Sequence, residues 1–152
     1  MKNVVKIAFC LLAAFFALNA NAKVEKSEIL GTWTQTATEQ GITVICTYDF
    51  KADNTVTQFF MMNSSSPKMN VIADGTCEYK LSDDTISFKF SASDFNFTAF
   101  EIEGIPQEYV SVAKQQMMSQ LVNVERKLTN VKINGNTMTA KFNGETITLN
   151  RN

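Results

Sequence analysis

Apolar and polar residues alternate with period two along much of this chain, the pattern of strands that bury one face. Ile42, Val44, Cys46, Tyr48 and Phe50 share one face, with Thr43, Thr47, Asp49 and Lys51 on the other. Asp53-Asn54 turns the chain, and Thr55 to Met62 is a strand apolar on both faces, whose outside needs a cover. Ser64-Ser65-Ser66-Pro67 is a loop. Asp74-Gly75 reads as a turn into Cys77, Tyr79 and Leu81, with Glu78 and Lys80 opposite. After Asp83-Asp84, Ile86, Phe88 and Phe90 alternate with Ser87, Lys89 and Ser91, and Asn96 to Ile102 forms another strand. Val131 and Ile133, then Met138, Ala140 and Phe142, then Ile147, Leu149 and Arg151 finish the chain. The turns between them, Asn134-Gly135-Asn136 and Asn143-Gly144, are strong hairpin signals because Asn and Gly accept positive φ at little cost.

A three- and four-residue spacing interrupts this alternation once. Val110, Ala113, Met117, Leu121, Val124 and Leu128 form one stripe, predicting a helix from Gln107 to about Leu128, with Pro106 near its first turn, where proline is tolerated. With the strand near Trp33, the chain holds eight or nine strands. Neighbours joined by tight turns predict a mainly β fold: an antiparallel up-and-down β-barrel with one helix before the last three strands. Closure removes the exposed edges of such a meander. A two-sheet sandwich of the same strands is the alternative.

The first 22 residues have a different character. Lys2 and Lys6 precede a mostly apolar run from Ile7 to Leu18, and Ala20-Asn21-Ala22 supplies a small-x-small cleavage signal. This run is too short to span a bilayer, so no stable membrane insertion is expected. The domain plan is a signal peptide over 1–22 and a barrel domain over 23–152, with cleavage near Ala22 and a secreted or periplasmic location. A lipid anchor on Cys10 fits less well, because Phe9 stands where lipoprotein signals carry a small residue. Of 14 basic residues, Lys2 and Lys6 leave with the signal, so 12 face 15 acidic ones, a net charge of −3. That balance argues against nucleic acid as a partner.

The chain has no histidine, which removes Ser-His-Asp and Cys-His catalysis and the commonest zinc ligand. No glycine-rich phosphate loop follows a strand and opens a helix. Asp53, Asp83 and Asp84 sit at turns, where aspartate bonds its own backbone. A Ser-Lys or carboxylate pair stays formally open, but the expectation is a non-enzyme without metal or cofactor. Asn63-Ser64-Ser65 and Asn96-Phe97-Thr98 match the glycosylation acceptor pattern, which is common by chance in an Asn- and Thr-rich chain. Cys46 and Cys77 remain after export, and an oxidising compartment favours a disulfide between them. With the strand Thr55 to Met62 between them, their axes lie about 9.6 Å apart, beyond the limit of about 7 Å for a bridge. The bridge therefore needs a pinched barrel or another strand order.

Gly31-Thr32-Trp33, opening the first strand soon after the signal, resembles the G-x-W signature of lipocalins. The chain as a whole is similar to small lipocalin-like (calycin-type) proteins exported by bacteria. The resemblance implies a barrel around a cavity for a small ligand, with Gly31 and Trp33 closing its base and the Trp packing on an arginine of the last strand, here Arg151. Two features depart from lipocalins proper: the helix precedes the last three strands, and the short middle-loop motif is not evident. The expected function is binding of a small, neutral or anionic apolar ligand inside the barrel. Tyr48, Phe50, Tyr79, Phe88, Phe90 and Phe142 would line the pocket, burying the ligand while the phenols orient it. The alternative is a solid barrel serving as an interaction module, docking through its helix or the outer apolar face of Thr55 to Met62.

Overall fold

The computed structural model describes residues 23–151; the signal peptide expected over 1–22, its cleavage site and Cys10 lie outside them. A one-turn helix, α1 (Lys26–Ile29), leads into nine strands: β1 (Gly31–Glu39), β2 (Ile42–Phe50), β3 (Thr55–Ser65), β4 (Lys68–Ser82), β5 (Thr85–Phe88), β6 (Phe95–Ile102), β7 (Arg126–Asn134), β8 (Thr137–Phe142) and β9 (Glu145–Arg151). Between β6 and β7 a short 3-10 turn (Gln107–Tyr109) runs into helix α2 (Val110–Leu121). All pairings are antiparallel. The order β1-β2-β3-β4-β5-β7-β8-β9 returns to β1, closing an eight-stranded barrel, with β6 as an added strand on β4. Among the described residues, no helix is long and apolar enough to cross a membrane.

The tight turns follow the sequence signals. Asn143 and Gly144 both take positive φ, 51° and 85°, as a two-residue hairpin requires. Asp53 Oδ1 accepts from the backbone N–H of Thr55 (3.0 Å) and from its hydroxyl (2.6 Å), fixing the entry to β3. These bonds hold the Asp53 carboxyl below its ordinary value.

Two elements differ from the sequence reading. Asp74-Gly75 is not a turn: β4 runs through it unbroken, pairing Asp74 with Phe59 and Gly75 with Gln58. The glycine serves a close approach within a strand. A Cβ at Gly75 would stand 2.4 Å from Phe95 Cδ2 and 2.6 Å from the Asp94 carbonyl oxygen. At this point one edge of β4 changes partner, from β6 over Met69–Gly75 to β5 over Tyr79–Ser82. The meander is therefore broken once, since β5 pairs with β7 and β6 lies outside that ladder. The predicted helix also ends early, at Leu121 rather than about Leu128. Leu128 is buried in β7, and Val124 is exposed on the connection. A stripe ending in Val124 and Leu128 continues the helical spacing, but Arg126, Leu128 and Val131 are claimed by the barrel wall.

Trp33, the only tryptophan, is fully buried and packed in the larger core cluster. Trp33→Ala should lower the unfolding free energy by about 3–5 kcal/mol, measured by urea titration followed by far-UV circular dichroism. A loss under about 1 kcal/mol would contradict this placement.

Candidate functional site

The barrel interior is layered, and the layers follow from strand register. At one end Trp33 and Arg151 are cross-strand neighbours on β1 and β9. The Arg151 guanidinium lies 4.4 Å from the Trp33 ring centroid, a cation–π arrangement. Trp33 Nε1–H donates to the Ile29 carbonyl (2.7 Å), and Arg151 Nη2 donates to the Glu28 carbonyl (2.7 Å). Both bonds reach α1, which thereby covers this end with the buried Ile29. Gly31 makes the bend from α1 into β1 at φ 106°, a conformation glycine adopts without strain. Arg151 is thus engaged in closure, over the ring and under α1. Among the described residues the ladder between β1 and β9 comprises Trp33–Arg151 and Thr34–Asn150, whereas β1 pairs with β2 over its whole length.

Above this closure lies an aromatic layer. Phe50 meets Tyr79 edge-on at 5.2 Å, Phe88 meets Tyr48 at 5.7 Å and Phe90 at 5.8 Å, and Phe90 meets Phe95 at 5.3 Å. Five of the six residues expected to line a pocket, Tyr48, Phe50, Tyr79, Phe88 and Phe90, are buried here. They are linked by ring contacts. Alternation shows that such residues face inward, but not whether they fill the interior or line a space. The Tyr79 hydroxyl donates to the Lys51 carbonyl at 3.1 Å, in the turn before β3. The sixth residue, Phe142, is partly buried at the edge of the same core cluster.

A polar layer follows, and sequence reasoning missed most of it. Gln58 and Arg126 are 1% and 3% exposed, although both residue types usually sit at the surface. Arg126 Nη1 donates to Gln58 Oε1, and Arg126 Nη2 donates to the Leu121 carbonyl (2.9 Å) at the end of α2. The guanidinium carbon lies 5.7 Å from the Phe90 ring centroid. Gln58 Nε2 donates to Cys46 Sγ (3.1 Å), and Tyr48 pairs with Gln58 across β2 and β3. Burial pushes the Cys46 thiol up, against the pull of Tyr48, Arg126 and Gln58. Burial also pushes the Tyr48 phenol well above its usual value, with Cys46 adding to the rise and Arg126 opposing it. Both groups are therefore neutral at physiological pH. The sequence signal for this layer was faint: Gln58 is a lone polar residue on the inward face between Val56 and Phe60.

Beyond the polar layer comes a second apolar cluster, Ile42, Val44, Phe60, Met62, Met69 and Val71, joined to the first through Phe97 and Met117, which pack against both. Phe97, Phe100 and Ile102 of β6 and Met117 of α2 pack against it.

The expected Cys46–Cys77 disulfide is not formed; both cysteines are free. Cys46 is level with Phe60 and Cys77 with Val56, so they stand two strands apart and four residues out of step along β3. Those four residues add about 13 Å along the strand. Among the described residues, no group of three or more Cys, Asp or Glu is placed to hold a metal ion.

No protein-family model matches the chain, and comparison with curated proteins finds no match.

Burial pushes the Cys77 thiol from 9.0 up to about 11, with smaller contributions from its neighbours. A raised value in the folded state means that the unfolded chain releases this proton first. The associated stability is complete below pH 9.0 and is lost as the pH rises toward 11. The urea midpoint should fall across that window, and Cys77→Ala should flatten the fall. Parallel losses in wild type and variant would contradict the burial of this thiol.

Proposed function

We propose that this protein is an exported, lipocalin-like carrier that is not an enzyme and holds one small apolar molecule inside its barrel. The closed eight-stranded barrel supports the reading, since a barrel of this size holds side chains or one small ligand. The observation that carries it is the division of the interior into two apolar clusters with Gln58 and Arg126 between them. The aromatic layer by the Trp33 end forms the packed floor. The cluster of Val44, Phe60, Met62 and Val71 forms the binding region, with Met side chains adapting to the ligand's shape. This moves the proposed ligand away from Phe50, Tyr79, Phe88 and Phe90. Export rests on the charged start, apolar run and Ala20-Asn21-Ala22 site of the first 22 residues.

The helix favours a second reading, in which the barrel is an interaction module. Helix α2 buries only Leu121, while Tyr109, Val112 and Val124 on or beside it are exposed.

A thermal-shift screen of the mature protein against fatty acids, sterols and aromatic metabolites distinguishes the two. A true ligand at a hundredfold excess over its dissociation constant adds about 2.7 kcal/mol. The carrier reading expects some apolar compounds to raise the Tm, and Val44→Phe, which fills the second cluster, to weaken that rise. If nothing raises the Tm of either protein, the carrier reading fails and the interaction module replaces it.

A further inference from the structure

Within that carrier reading, we propose that the ligand carries a carboxylate head group, which pairs with the Arg126 guanidinium while its apolar body lies against Val44, Phe60, Met62 and Val71. A guanidinium stays protonated in proteins, and an unpaired charge out of water is costly. Arg126 is buried, and the oxygens it meets are neutral: Gln58 Oε1, the Leu121 carbonyl and the Tyr48 phenol. The ion pairs among the described residues, Lys68–Glu101 and Lys127–Glu125, join well-exposed side chains. The titratable groups facing Arg126, the Cys46 and Cys77 thiols and the Tyr48 phenol, hold their protons at neutral pH and supply no negative charge. The polar layer therefore carries a positive charge without a counter-charge.

The position of that charge selects the ligand's shape. Arg126 meets the aromatic layer at Phe90 and reaches toward the second cluster through Gln58, which lies two residues before Phe60 on the buried face of β3. A molecule entering the second cluster with one anionic end presents that end to Arg126. Two of the five guanidinium donors meet Gln58 and Leu121, and a planar fork suits a carboxylate. Arg151, the inward charge expected from the sequence, stacks on Trp33 and donates to the Glu28 carbonyl at the closed end, where its Nε is buried without a partner.

The test is isothermal titration of the mature protein with dodecanoate, dodecanol and dodecylamine, which share one tail. The proposal expects dodecanoate to bind wild type about tenfold or more tightly than dodecanol, and dodecylamine more weakly than either. Arg126→Met should remove the preference while keeping dodecanol binding, and Arg126→Lys should retain part of it. Because Arg126→Met risks misfolding, a second measurement uses wild type alone. The carboxyl carbon of ¹³C-labelled dodecanoate, followed by NMR during acid titration, should stay ionised to lower pH when bound than when free. Equal binding of acid and alcohol, or a bound carboxyl that protonates at higher pH, overturns the proposal and leaves the carrier reading standing. Failure of all three probes to bind also overturns the proposal, and the carrier reading is then decided by the wider thermal-shift screen.

Discussion

Among the described residues, Arg126 is the one charged residue that is fully buried, and its need for hydrogen-bond acceptors organises what surrounds it. A cation that cannot be neutralised must meet oxygen atoms when it leaves water. One comes from Gln58 in the first half of β3 and another from the last turn of α2. The second contact explains why the helix ends where it does. The Leu121 carbonyl, one of those left unpaired by a helix C-terminus, accepts from a cation. Five residues later the chain is already barrel wall. The same side chain thus anchors the C-terminal end of α2 and lies where the chain passes from the helix into the barrel wall.

Closure is a separate matter, settled at the opposite end. Trp33 is held by α1 below and by Arg151 beside it, its cross-strand partner on β9. Along the other side, Phe95 lies against Gly75 and lets one edge of β4 serve two strands in turn. The short β5, the reversal held by Asp94 on Ser91, and the added strand β6 all follow from that exchange.

Much of this architecture is legible in the sequence, and the misses have physical causes. Alternation along Ile42–Phe50 and Thr137–Phe142, with turns such as Asn143-Gly144, is enough to place strands and a closed antiparallel barrel. Gly75 misleads because glycine marks both turns and close approaches, and only the position of Phe95 decides between them. Leu128 misleads because one apolar residue fits a helical stripe and a strand equally well. Arg126 is hidden by its residue type, since arginine is expected outside unless its acceptors are known, and these come from residues 58 and 121. Inward-facing aromatics are readable from period two, but their packing into one layer depends on how four strands and the connection after β5 bring the rings together.

The most direct test of the account is a double-mutant cycle on Arg126 and Gln58, with unfolding free energies of wild type, Arg126→Met, Gln58→Leu and the double variant. If the guanidinium is buried and depends on the Gln58 carbonyl, each single change leaves a polar partner unsatisfied. The double variant should then be more stable than the two separate losses predict, with a coupling of about 1–3 kcal/mol. Losses that add to within about 0.5 kcal/mol would place Arg126 in water and contradict the account.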